Sequence, residues 1–220
     1  MATEVKFCGL TRVEDAAEAV RLGASYLGVI FAGGPRQVTA ATARAVHRAA
    51  PAHVGRVGVV GRVSTDEIVR MVEETGIDIV QLHGDPSAAD VAALRSRMDG
   101  EIWAVLRAEG PQLPGVDEAR QLFDAADAVV VDARVDGALG GTGVALPWRL
   151  MAKGIGAARS GRRARLVVAG GLRPENVGEA IAALGPDVVD VSSGVESAPG
   201  IKDHGLMRAF AMAARASSVR

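Results

Sequence analysis

Short β-branched runs alternate with Ala-, Glu- and Arg-rich amphipathic stretches from one end of the chain to the other. That alternation is the pattern of βα units around a parallel sheet, because parallel neighbours must be joined by a crossover, usually a helix. The strand candidates are Val5–Cys8, Tyr26–Phe31, Arg56–Val60, Ile77–Leu82, Ile102–Leu106, Ala128–Asp132, Arg165–Ala169 and Val188–Val191. Helices are expected near Val13–Leu22, Ala40–Ala49, Thr65–Glu74, Ser87–Met98, Val116–Phe123, Leu146–Met151, Pro174–Leu184 and Asp203–Ala214. Ser64-Thr65-Asp66-Glu67 and Arg173-Pro174-Glu175 carry N-cap and first-turn signals.

Eight such units in 220 residues leave about 27 residues each, close to the minimum for a (β/α)₈ TIM barrel that closes on itself. An open doubly wound sheet is the alternative, and it would usually need fewer strands. The Gly/Pro clusters fall at strand ends and no low-complexity segment interrupts the series, so residues 1–220 are expected to form a single α/β barrel domain. With 49% hydrophobic residues the chain can bury a sizeable aliphatic core.

The 25 basic and 26 acidic residues are scattered and nearly cancel. No basic stripe is available for nucleic acid or an anionic membrane surface. No apolar run approaches the roughly 18 residues that would cross a bilayer, and the start MATEVKFC lacks the regions of a secretory signal. A cytoplasmic protein is expected. The single Cys, Cys8, cannot form an internal disulfide, and without a second Cys a thiolate metal site is not expected.

In a barrel of this kind the active site is built at the C-terminal ends of the strands. The residues falling there are Lys6-Phe7-Cys8-Gly9-Leu10-Thr11, Gly34-Pro35-Arg36, Gln81-Leu82-His83-Gly84, Val131-Asp132, Gly140-Gly141-Thr142-Gly143, Ala169-Gly170-Gly171-Leu172 and Ser192-Ser193-Gly194-Val195-Glu196. Glycine lets backbone N–H groups converge on an anion, and barrels frequently hold phosphate after strands seven and eight. Gly170, Gly171, Ser193 and Gly194 are therefore expected to cradle a phosphorylated small molecule. Asp132 ends an apolar strand, where desolvation would suit its carboxyl to donating a proton, although an aspartate there can also cap the following loop. Cys8, beside Gly9, reads either as a small core hydrophobe or as a proton-abstracting thiolate. Lys6 points to the same side as Cys8 by strand alternation and could support that thiolate from the barrel interior.

Taken together, these segments resemble the phosphoribosylanthranilate isomerase family of tryptophan biosynthesis. The resemblance runs from Lys6 to about His204 and is carried by Lys-x-Cys-Gly-Leu-Thr at the start and by Val80-Gln81-Leu82-His83-Gly84. The Asp132 strand with Gly-Gly-Thr-Gly, Asp190-Val191-Ser192-Ser193-Gly194-Val195-Glu196 and Pro199-Gly200-x-Lys202-Asp203 complete it. It implies an Amadori rearrangement of N-(5-phosphoribosyl)anthranilate without metal or organic cofactor; a monomer or homodimer is expected, and the sequence does not choose between them. It implies Asp132 as general acid on the ribose ring oxygen and Cys8 as general base on C2. Gly141, Gly143, Gly170, Gly171, Ser193 and Gly194 are then expected to hold the substrate, Arg36 to meet the anthranilate carboxylate and His83 to line the site. Two segments differ from the family pattern. Gly34 stands where serine is usual in a shortened Arg36 loop, and Val60-Gly61-Arg62 ends the third strand. A related barrel acting on the histidine-pathway aminoimidazole would be expected to use paired aspartates, which Cys8 argues against. A non-catalytic barrel binding a phosphorylated ligand is the other alternative.

Overall fold

A computed structural model of the chain describes residues 2–108, 113, 115–133 and 147–217. Eight parallel strands close into a barrel: β1 Glu4–Phe7, β2 Tyr26–Ile30, β3 Gly55–Val60, β4 Ile79–Leu82, β5 Glu101–Ala108, β6 Ala128–Ala133, β7 Arg165–Val168 and β8 Val188–Val191. Closure is made by β8 against β1, with Glu4 opposite Val188 and Phe7 opposite Val191. The helices are α1 Val13–Arg21, α2 Ala40–His47, α3 Thr65–Thr75, α4 Ala88–Arg95, α5 Val116–Ala125, α6 Trp148–Arg159, α7 Val177–Leu184 and α8 His204–Ser217. The barrel expected from the alternation is thus the one formed, and the open sheet is excluded by its closure.

Strand alternation sorts the side chains into two cores. Outward residues such as Phe7, Leu27, Val80, Ile102, Leu166 and Val189 join the buried helix stripes in one continuous shell. Inward residues, among them Val57, Val105, Val130, Val167 and Val188, fill the barrel itself. At its N-terminal end Tyr26 and Trp103 meet edge to face, centroids 4.9 Å apart, and the Arg165 guanidinium lies 5.5 Å from each ring centroid. These side chains plug the barrel interior at that end, as is usual for a barrel whose site lies at the other.

Local chemistry sets the helix ends. Ser64 and Ser87 both close capping boxes, with Glu67 and Asp90 answering back to the cap backbone, an arrangement in which each cap contributes about 1 kcal/mol. Helix α6 runs well past the expected Met151 despite Gly154 and Gly156, because Trp148, Met151, Ile155 and Ala158 make a buried stripe at helical spacing. Its expected start at Leu146 lies outside the described residues. Helix α7 begins at Val177 rather than Pro174, since Asn176 Oδ1 accepts from the Arg173 N–H at 2.7 Å and holds Arg173–Asn176 as a turn.

One element is absent from the sequence reading. After β8 a short 3₁₀ turn, Ser193–Val195, leads into an antiparallel pair, β9 Glu196–Ala198 and β10 Ile201–Lys202, folded about Pro199-Gly200. Among the described residues no helix is long and apolar enough to cross a membrane.

Candidate active site

The C-terminal mouth of the barrel holds a pocket of about 430 Å³, within the size range of small-molecule sites. Its floor and walls continue the inward rows of the strands: Cys8 from β1, Val59 from β3, Gln81 and His83 from β4, Asp132 from β6, Asp190 and Ser192 from β8. The inward alternation that fills the barrel with valine lower down thus delivers titratable groups one layer higher.

Cys8 lies one residue beyond the end of β1, its N–H donating to the Val191 carbonyl at 2.9 Å. The thiol is buried. Burial pushes it above the ordinary thiol range, the positive charges of Lys6 and Lys202 pull it back and Asp190 pushes it up again, leaving it raised. Lys6, wholly buried, places Nζ 2.7 Å from Asp190 Oδ2. Burial alone would lower its pKa, but Asp190 above all, with Cys8, outweighs that by charge and hydrogen bond and leaves it raised, so Lys6 is an ammonium. The placement read from alternation is therefore the one observed, with Asp190 as an added partner.

Gly9 follows with φ +69°, and a Cβ there would sit 2.8 Å from Arg36 Cδ and from Ser192 Oγ. Only glycine supplies both that backbone and that space, so the Arg36 stem packs directly beside the Cys8 turn. Arg36 lines the pocket despite its short loop. Its Nε and Nη2 engage Glu196 in a fork, with Nη2 2.7 Å from Oε2.

Asp132 lies buried at the end of β6 with Oδ2 3.8 Å from His83 Nε2. His83 is thus a near neighbour of the carboxylate as well as a wall of the pocket. The strand end carrying it is fastened by Arg107, whose Nη2 donates to the His83 carbonyl at 2.7 Å while Nε faces Asp85 Oδ1 at 3.3 Å. Asp85 adopts φ +54°, a left-handed conformation that aspartate tolerates better than most residues.

Opposite, Gly170 and Gly171, at φ +80° and +65°, and Ser193 and Gly194 line the same pocket. The loops after β7 and β8 touch so closely that a Cβ on Gly194 would lie 1.9 Å from the Leu172 carbonyl oxygen. Gly141 and Gly143 lie outside the described residues. The other expected site residues, Cys8, Arg36, His83, Asp132, Gly170, Gly171, Ser193 and Gly194, all come together. Asp190, Glu196 and Lys202 lie in segments that carry the family resemblance, but the sequence alone assigns them no role. Asp190 could have been found by extending to β8 the alternation applied to Lys6, whereas Glu196 and Lys202 depend on the β9–β10 pair. Among the described residues no group of three or more His, Cys, Asp or Glu is arranged to hold a metal ion.

Residues 5–213 match the family described as N-(5'phosphoribosyl)anthranilate (PRA) isomerase. A protein of Pseudomonas fluorescens (strain Pf0-1) named N-(5'-phosphoribosyl)anthranilate isomerase is 38% identical, with 97% of this chain and 99% of that protein covered. The crystal structure of phosphoribosyl anthranilate isomerase from Thermus thermophilus superposes with a TM-score of 0.83 at 35% identity, covering 99% of this chain and 100% of that one. A further phosphoribosyl anthranilate isomerase structure, in complex with reduced 1-(o-carboxyphenylamino)-1-deoxyribulose 5-phosphate, gives a TM-score of 0.81 at 28% identity, covering 97% of this chain and 99% of that one. With the family matched over residues 5–213 and a relative of that name 38% identical over nearly the full length of both chains, the chain belongs to the N-(5'-phosphoribosyl)anthranilate isomerase family.

Proposed function

We propose that this chain catalyses the Amadori rearrangement of N-(5-phosphoribosyl)anthranilate to 1-(2-carboxyphenylamino)-1-deoxyribulose 5-phosphate, a step of tryptophan biosynthesis, as one cytoplasmic barrel domain. The observation that carries this reading is the convergence of Cys8, Asp132 and the glycine-rich ends of β7 and β8 on one pocket. The solved relative in complex with the reduced carboxyphenylamino-deoxyribulose phosphate supports it.

In this mechanism the backbone at Gly170, Gly171, Ser193 and Gly194, with Gly141 and Gly143, takes the phosphate, and that remote hold positions the ribose between the two reacting groups. Asp132 gives its proton to the ring oxygen as the anilinic nitrogen pushes open the C1–O bond, leaving an iminium. Cys8, as thiolate, removes the C2 proton, and the electron pair of that C–H bond becomes the C1=C2 bond of an enolamine. Protonation at C1 and loss of the 2-hydroxyl proton then give the ketone. His83, 3.8 Å from Asp132, lines the acid side, and the carboxylate of the anthranilate ring meets Arg36. Lys6 supports the thiolate from beneath. Only protons move between enzyme and substrate, so the reaction calls for no external electron acceptor.

The test is a coupled assay of the purified chain with freshly made phosphoribosylanthranilate, run beside the histidine-pathway aminoimidazole aldose. Turnover of the first alone is expected. Binding of a product analogue with no turnover at any pH would replace the reading with that of a binding protein.

A further inference from the structure

Glu196 does not line the pocket, yet its carboxylate is the meeting point of two of the cations nearest Cys8. One side receives the Arg36 fork, Nε at 2.9 Å from Oε1 and Nη2 at 2.7 Å from Oε2. The other receives Lys202 Nζ at 2.7 Å from Oε1. The three side chains are 13%, 4% and 0% exposed for Arg36, Glu196 and Lys202 respectively, so the cluster is shielded from the water that would otherwise screen it. Lys202 Nζ also donates to the Ser192 carbonyl at 3.1 Å, and Thr11 Oγ1 ties the hairpin turn to the first loop through the Gly200 carbonyl at 2.6 Å. Glu196 is thus set at the start of the β9–β10 pair, whose turn is tied to the loop after β1.

We propose that Glu196, clamped between Arg36 and Lys202, is a positioning residue that presents Arg36 to the substrate's ring carboxylate and neutralises charge beside Cys8. This rests on the reading above that Arg36 meets that carboxylate. A bidentate carboxylate fixes the plane of a guanidinium in a way one contact cannot, and Glu196 engages Nε and Nη2 while leaving Nη1 for a second anion. Charge balance points the same way. One carboxylate between Arg36 and Lys202 leaves the cluster net positive, the sign an anionic ring substituent requires, although burial lowers the Lys202 pKa below its ordinary value.

The same cluster bears on the base. Among the described residues the charges acting on Cys8 include Lys6 beneath it, Asp190 on β8, Lys202 on β10 and Arg36 beyond Gly9, with His83 and Asp132 lining the same pocket. Lys6 and Asp190 pair with each other. The remaining two cations would draw the thiol toward thiolate if Glu196 did not hold them. Burial works against the Glu196 charge, but its contacts with Arg36 and Lys202 outweigh it and keep the carboxylate ionised.

The experiment uses Glu196→Gln, Glu196→Asp, Lys202→Met and Arg36→Ala of the whole chain, each checked for folding by circular dichroism. It reads KM and kcat, and in the absence of substrate the pH midpoint for alkylation of Cys8 by iodoacetamide. Glu196→Gln is expected to raise KM on the order of tenfold with a smaller change in kcat, and to move the alkylation midpoint to lower pH. Glu196→Asp restores part of both. Lys202→Met, which keeps the Arg36–Glu196 fork, moves the midpoint upward, so a result remains if Glu196→Gln fails to fold. An unmoved KM in Glu196→Gln beside a raised KM in Arg36→Ala overturns the positioning role. Midpoints that do not move in opposite directions overturn the electrostatic role. An unmoved KM in Arg36→Ala overturns the proposal through its premise, the assignment of Arg36, and is distinguishable for that reason.

Discussion

Lys6 places its ammonium 2.7 Å from Asp190 Oδ2, two residues below Cys8 on the same inward row. Both partners are buried, so removing one leaves an uncompensated charge inside the barrel. Lys6→Met is expected to destabilise the fold by about 3–5 kcal/mol, read from urea denaturation. Part of this should return in Lys6→Met/Asp190→Asn, where the stranded carboxylate is gone. Loss of the nearest cation should also carry the alkylation midpoint of Cys8 further above its already raised value. A variant as stable as the parent with an unmoved midpoint would show that the pair supports neither barrel nor thiolate.

Asp132→Asn and Cys8→Ser should each lower kcat by about 10²–10⁴-fold while product-analogue binding and circular dichroism stay near the parent's. Because one group must hold a proton while the other has lost it, kcat/KM should follow a bell in pH. Burial lifts the Cys8 thiol, so the limb on which Cys8 loses its proton lies higher in pH than for an exposed thiol. Near-normal turnover in either variant removes that residue from the mechanism.

Most of the barrel was readable because its determinants are local. A run such as Ala-Val-Val-Val-Asp can be satisfied only by burial on both faces, and each is followed by an amphipathic helix long enough to cross back. The placement of Cys8 and Asp132 at the mouth was readable for a related reason, since inward alternation carries a residue at a strand end there, whereas their roles were not, each having a packing or capping reading as well. The β9–β10 pair was not. Its strands are three and two residues long, too short for periodicity. What binds Glu196 in place is Arg36, 160 residues away in the chain. Asp190 lies between these cases, since its inward position follows from alternation but its partner Lys6 lies across the seam where β8 meets β1.

Gly194→Ala tests the phosphate end. The added methyl would lie 1.9 Å from the Leu172 carbonyl oxygen and 3.0 Å from Arg173 Cγ, and the first of these is rigid backbone. The loops after β7 and β8 must part, and the backbone donors proposed to hold the phosphate would lose their convergence. KM should rise at least about tenfold, the order expected for one lost hydrogen bond to a charged group. Competitive inhibition by inorganic phosphate should weaken in step. A raised KM with unchanged phosphate inhibition would assign the phosphate elsewhere.

His47 offers a stability prediction independent of the site. It is buried at the end of α2, and burial lowers its pKa from 6.5 to about 4, with the Arg56 charge adding to the lowering and the Leu27 backbone and Asp78 working against it. In the unfolded chain the imidazole takes up a proton as pH falls through 6.5, whereas in the folded protein it resists until about 4. Between those values the unfolded state binds more protons, so stability must fall on acidification across that window and level off below it. At about 1.4 kcal/mol per unit the displacement corresponds to about 3 kcal/mol. His47→Leu, which carries no proton in either state, should lose correspondingly less stability between pH 7 and pH 4 when the two proteins are unfolded in urea at each pH. Parallel stability curves for the parent and His47→Leu would mean that His47 titrates alike in both states and that acid sensitivity arises elsewhere.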